Sequence, residues 1–207
     1  MQEDNIFASA TEGQIADPCA TCGVRCCNRF AVPITGFDLV RILEKKQTLD
    51  YSQICELADA KNIESAPHSL VFIYNDKKLE EKLLTLIRKK NMYCIFSKHS
   101  RGCDAWGAHP YVCKAYPFCI KDKKITYVKN FACPRKWQNN EYDESAIRKI
   151  VQKQNDEIEQ YNKIVREWNA KFSTTRDQQH FFEYLIFESR KIIQKEQQKN
   201  YDFFSRK

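Results

Sequence analysis

The sequence predicts an α+β fold: a small, irregular cysteine-rich metal-binding domain of short strands and helices, followed by a C-terminal α-hairpin. Three observations predict it. Nine of the ten cysteines fall into two spaced groups between Cys19 and Cys133. Short apolar runs bounded by turn residues lie between and around those groups. From Ile147 onward, apolar residues recur at three- and four-residue spacing. The expected organisation is a polar leader over 1–17, a cysteine-cluster domain over 18–138 and a helical extension over 139–207 that packs on it.

Thr35, with Asp38 three residues on, predicts the start of a short helix whose apolar face is Leu39, Val40, Ile42 and Leu43. Asp50 or Ser52 caps a second short helix expected to run through Ala60, with Cys55 inside it. The run from Ser69 to Tyr74 reads as a buried strand. Lys82–Lys90 suits helix or strand by composition, and a strand turning at Lys89–Asn91 into Tyr93–Ser97 is preferred. Cys94 to Cys119 holds Gly102, Gly107, Pro110 and Pro117 with little periodicity, as a loop wrapped on a metal would. Ile125–Val128 is a further strand, and Cys133-Pro134 closes the region. Two helices follow, the first built on Ile147, Ile150, Val151, Ile158, Tyr161, Ile164, Val165, Trp168 and Phe172. Ser173–Arg176 breaks the pattern, and the second runs from about Asp177 to Lys199.

Composition narrows the function. Met1 to Asp17 carries four acidic residues and no basic one, so a secretory leader is not expected, and no apolar run approaches the ~20 residues of a membrane helix. The expected compartment is a reducing cytoplasm, where dense cysteines read as metal or redox ligands rather than disulfides. With only five glycines and no phosphate-cradling loop, a nucleotide site lacks support. The formal charge is +7, concentrated between Asp76 and Lys136, where 15 basic residues stand against 5 acidic ones. That excess is read as compensation for buried thiolate charge, not as nucleic-acid binding, for which no motif is present. No serine–histidine–acid or paired-carboxylate constellation stands out, so the sequence defines no catalytic residue.

The strongest signal is Cys19-x2-Cys22-x3-Cys26-Cys27. Two thiolates separated by two residues grip one metal because the turn between them brings both sulfurs to one side, and Cys26 extends the grip. The side chains of adjacent Cys26 and Cys27 diverge, so they serve two metals, or one ligates while the other packs. The second group is Cys94, Cys103, Cys113 and Cys119, followed by Cys133. Either zinc or an iron–sulfur cluster satisfies such thiolates. Cys55 stands apart and reads as a small buried hydrophobe. His99 and His109 lie inside the cysteine loops, and imidazole suits either metal.

Cys19-x2-Cys22-x3-Cys26-Cys27, Cys94-Ile95-Phe96, Gly102-Cys103, His109-Pro110-x2-Cys113 and Tyr116-Pro117-Phe118 together resemble the YkgJ-type CxxCxxxCC family, described as a zinc- or iron-chelating domain. The resemblance covers roughly residues 18–135. It implies Cys19, Cys22, Cys26, Cys27, Cys94, Cys103, Cys113 and Cys133 as ligands, with Cys119 and His109 as further candidates, of Zn²⁺ or a 4Fe–4S cluster in one or two sites. His109 stands where the family usually has arginine, and Trp106 where tyrosine is common. FliB-type flagellin lysine methylases resemble the same family in the cluster region. The functional expectations are therefore metal chelation first, a cluster-dependent protein-modifying enzyme second and a zinc-stabilised interaction module third. A protein partner would dock on the C-terminal helices.

Overall fold

The computed structural model describes residue 27 and residues 30–62, 66–75, 78–98, 102–128, 143–171 and 177–204. The polar leader, Cys19, Cys22, Cys26, His99, Cys133-Pro134 and the helix break at 173–176 lie outside the described residues. The fold is α+β, with short antiparallel strands and a C-terminal pair of long helices. It divides into two compact units, each discontinuous in sequence: one of residues 1–32 and 86–156, the other of 33–85 and 157–207.

The second unit begins with α1, Gly36–Lys45. Its start is a reciprocal capping box: the Thr35 hydroxyl accepts the Asp38 N–H while the Asp38 carboxylate accepts the Thr35 N–H. The same device at Asp50 and Gln53 starts α2, Tyr51–Ile54. Here the sequence expectation fails. The helix stops after one turn, because Cys55 is already extended (φ −139°, ψ 163°) and opens strand β1, Cys55–Asp59. A single helical turn fixes many dihedrals for few hydrogen bonds, so sheet pairing wins. Strands β2, Val71–Asn75, and β3, Lys78–Leu86, complete a sheet of order β1-β3-β2. β2 and β3 are antiparallel, with Val71 opposite Lys82 and Asn75 opposite Lys78. The strand reading of Lys82–Lys90 holds in part: the strand begins earlier, at Lys78, and ends at Leu86, and the expected return over Tyr93–Ser97 is reduced to a bridge at Cys94 and the start of a short strand at Ser97.

The edge of β2 is closed by side chains of α4, Glu144–Lys171, from the part of that helix beyond Glu157. Asn169 Oδ1 accepts the Phe72 N–H (3.0 Å) and its Nδ2 donates to Leu70 C=O (2.8 Å). Asn162 does the same one turn-pair earlier, to Ser69 N–H (2.6 Å) and Pro67 C=O (2.9 Å). Trp168 Nε1 donates to Phe72 C=O. Edge strands expose unpaired amides and carbonyls, and these three side chains occupy them. Trp168 also packs edge-on against Phe181 of α5, Gln178–Phe204, which Asp177 caps through the His180 N–H. Trp168, Tyr161, Phe181, Phe182 and Leu185 are fully buried with Leu39, Ile42 and Leu84.

Within this apolar core sits a charged knot. Arg41 grips Glu157 with both terminal nitrogens (2.7 and 2.8 Å) and also pairs with Asp38; both carboxylates are buried. His68, also buried, meets Tyr161 edge-on, and among the described residues no partner satisfies His68 Nδ1, Tyr161 Oη or Ser189 Oγ.

In the first unit, β4 (Ser97–Lys98) pairs with β5 (Gly102–Cys103), and β6 (Phe118–Lys121) with β7 (Lys124–Tyr127). The short helix α3, Tyr111–Ala115, lies between the hairpins. β6 falls where the sequence predicts only loop. Its residues Phe118, Ile120 and Ile125 of β7 pack with Ala115 onto Ile147, Ile150 and Val151 of the first turns of α4. No helix of the described residues is long and apolar enough to cross a membrane.

Candidate metal centre

Cys94 is placed by the hairpin that leaves β3. Lys89 N–H donates to Tyr93 C=O (2.7 Å), Met92 N–H to Lys89 C=O (2.8 Å), and Arg88 and Cys94 form an antiparallel bridge. Met92 takes a left-handed backbone (φ 67°) to complete the turn. The decisive contact comes next. Cys94 N–H donates to the carbonyl of Cys27 at 2.8 Å. The last cysteine of the N-terminal group and the first of the second group are thus joined backbone to backbone.

Cys103 is placed by the β4–β5 pair. Its strand pairs Cys103 with Ser97, and Ser97 N–H donates to Cys94 C=O (2.9 Å). Gly102, just before it, has φ 83°, a conformation glycine adopts without penalty. The chain then folds back through Trp106 N–H to Cys103 C=O and Ala108 N–H to Ala105 C=O. Lys114 Nζ donates to Gly107 C=O (3.3 Å), which ties this loop to α3 and to its central residue Cys113. His109 stacks flat on Trp106, ring centroids 4.7 Å apart and planes 12° from parallel. The Trp106 ring therefore fixes the plane of the His109 imidazole. Cys119 lies in β6 opposite Thr126, on a hairpin of its own.

Burial is the main electrostatic influence on Cys94, raising its thiol to about 11; negative charge at Cys27 adds to the rise. Backbone amides at Phe96 and Ser97 and the Lys89 ammonium oppose it. Lys89 is held by its own bond to Ser97 C=O (2.9 Å). Sequence reasoning did not single out Lys89, although the local excess of basic residues was the signal for it.

Cys55 belongs to the other unit. It is buried, its thiol donates to Tyr51 C=O (3.4 Å), and burial drives its pKa far up. It behaves as the small hydrophobe expected, at the head of a strand rather than inside a helix.

Among the described residues, no three His, Cys, Asp or Glu side chains come together as a metal-holding group. The structure joins Cys27 and Cys94 backbone to backbone, and the β4–β5 hairpin sets Cys103 opposite Ser97, three residues beyond Cys94. Cys19, Cys22, Cys26 and Cys133 lie outside the described residues. No protein-family model, curated protein or solved structure matches the chain.

Proposed function

We propose that this is a metal-chelating cysteine-cluster protein of the reducing cytoplasm, its thiolates holding Zn²⁺ or an iron–sulfur cluster. The observation that carries the reading is the hydrogen bond from Cys94 N–H to Cys27 C=O, which couples two cysteine groups far apart in the chain. Soft thiolates suit both metals, so the donor set fits. A four-thiolate site draws its ligands from the two cysteine groups together. Four described candidates (Cys27, Cys94, Cys103, Cys113) and four others suffice for two such sites. Lys89 beside Cys94 favours the thiolate that a ligand must be, in keeping with compensation as the role of the basic segment. The resemblance to the YkgJ-type family supports the same reading through its motifs alone.

When bound, zinc supplies cross-linking free energy to a small irregular domain, and a cluster supplies one-electron redox chemistry. The test is metal and sulfide content with an absorption spectrum on protein purified without oxygen. Iron and sulfide in equal amounts with a broad band near ~400 nm identify a cluster. Zinc without colour identifies a zinc site. A folded protein that holds neither metal overturns the proposal.

A further inference from the structure

We infer that Cys27 and Cys94 form a redox-sensitive pair, which in the metal-free protein closes into a disulfide by exchange with a low-molecular-weight disulfide such as oxidised glutathione. The inference rests on the metal reading only in that bound metal would hold the same sulfurs.

Among the described cysteines, this pair is joined by a backbone hydrogen bond. A backbone amide-to-carbonyl hydrogen bond keeps the two α-carbons inside the ~7 Å beyond which a disulfide cannot close. That bond is present at 2.8 Å, and the two thiols lie within electrostatic reach of each other. Both ends are restrained: Cys94 by its bridge to Arg88 and by Ser97 N–H on its carbonyl, Cys27 by Cys94 itself. Reaction order follows from exposure, since Cys27 is half-buried and Cys94 is 7% exposed. The Cys27 thiolate attacks one sulfur of the small disulfide; the S–S bond breaks and one glutathione thiolate leaves. Cys94 sulfur, giving up its proton, then attacks the Cys27 sulfur of the mixed disulfide and expels the second glutathione, which takes up a proton. Two protein thiols are oxidised to one disulfide, and one small disulfide is reduced to two thiols.

The experiment uses the full chain, reduced and stripped of metal by a chelator without oxygen, then exposed to oxidised glutathione, alkylated and digested with trypsin. The expected product joins the peptide of residues 26–29 to that of residues 91–98, in native buffer and not in a urea control, where pairings scatter. Cys26→Ser keeps the link. Cys27→Ser abolishes it and leaves Cys94 alkylated. Cys94 that stays alkylated in the wild-type chain, that pairs with another cysteine, or that scatters in native buffer as it does in urea overturns the inference. Metal content is measured on the same preparation before stripping. A metal-loaded preparation that forms no Cys27–Cys94 link removes the pair and leaves the metal reading standing. A metal-free preparation that forms it does the opposite.

Discussion

Asn169 treats Phe72 as a neighbouring strand would: one side-chain amide accepts from the backbone N–H of Phe72 and donates to the carbonyl two residues back. Asn169→Ala takes the partner from the Phe72 N–H of β2 and from the Leu70 carbonyl just before it, both partly buried bonds. The expected loss is about 1–3 kcal/mol, read from urea unfolding. Gln198→Ala, on the exposed end of α5, is the control and should change stability by less than ~0.5 kcal/mol.

Arg41→Met removes the cation between two buried carboxylates, Asp38 and Glu157. Breaking a buried pair by deleting one partner costs about 3–5 kcal/mol, because the charge left behind is uncompensated. Glu157→Gln, which keeps an acceptor and leaves Arg41 paired with Asp38, should cost distinctly less. Equal losses for the two variants would show that packing, not charge, sets the cost at Arg41.

His68 gives the second unit a pH dependence. Burial pulls its imidazole down from 6.5 to about 4, with Asp38 opposing. A depressed pKa means that the unfolded chain binds the proton more readily, so stability is intact above pH 6.5 and falls as pH drops toward 4. The expected loss across that window is about 3 kcal/mol at most. His68→Phe should flatten this part of the stability profile, and thermal unfolding at pH 7, 6, 5 and 4.5 would show whether it does.

Gly36 lies where α1 meets α5. A methyl group there would meet Leu185 at 2.7 and 2.9 Å and collide with Ser189 Oγ. Gly36→Ala should therefore destabilise by about 1–3 kcal/mol, although alanine is the better helix former. Adding Ser189→Ala should recover part of the loss, measured as the midpoint of denaturant unfolding.

Cys94→Ser should lower metal content in protein purified without oxygen. Cys55→Ala should leave metal content unchanged and only lower stability, because Cys55 is packed in the other unit. Equal metal loss in both variants would mean that Cys55 has been misplaced.

The sequence made the local devices legible. The capping box at Thr35–Asp38 and the cap at Asp50 lie within four residues of the helices they start, and the long helices announce themselves by period. Strand β1 was hidden because Cys55–Asp59 follows a good helix start and is extended only by pairing with a distant strand. Strand β6 was hidden because its few apolar residues follow directly on Pro117 and are called into register by β7. The cysteine motifs were readable from spacing, but the meeting of Cys27 with Cys94 depends on a hairpin turn that spacing does not encode. The asparagines of α4 looked like ordinary polar positions, since their strand partners lie 93 to 99 residues away.

That separation has a consequence for synthesis. The chain segment bearing β2 leaves the ribosome well before the helix that completes its edge: Asn169 follows Phe72 by 97 residues. At roughly 5–20 residues per second, the nascent strand waits on the order of 5–20 s for its asparagine. Throughout that interval, Leu70 and Phe72 offer bare backbone to any passing strand. The span is a window for chaperone capture during translation, and a pause codon placed within it would lengthen the hazard without altering the finished protein.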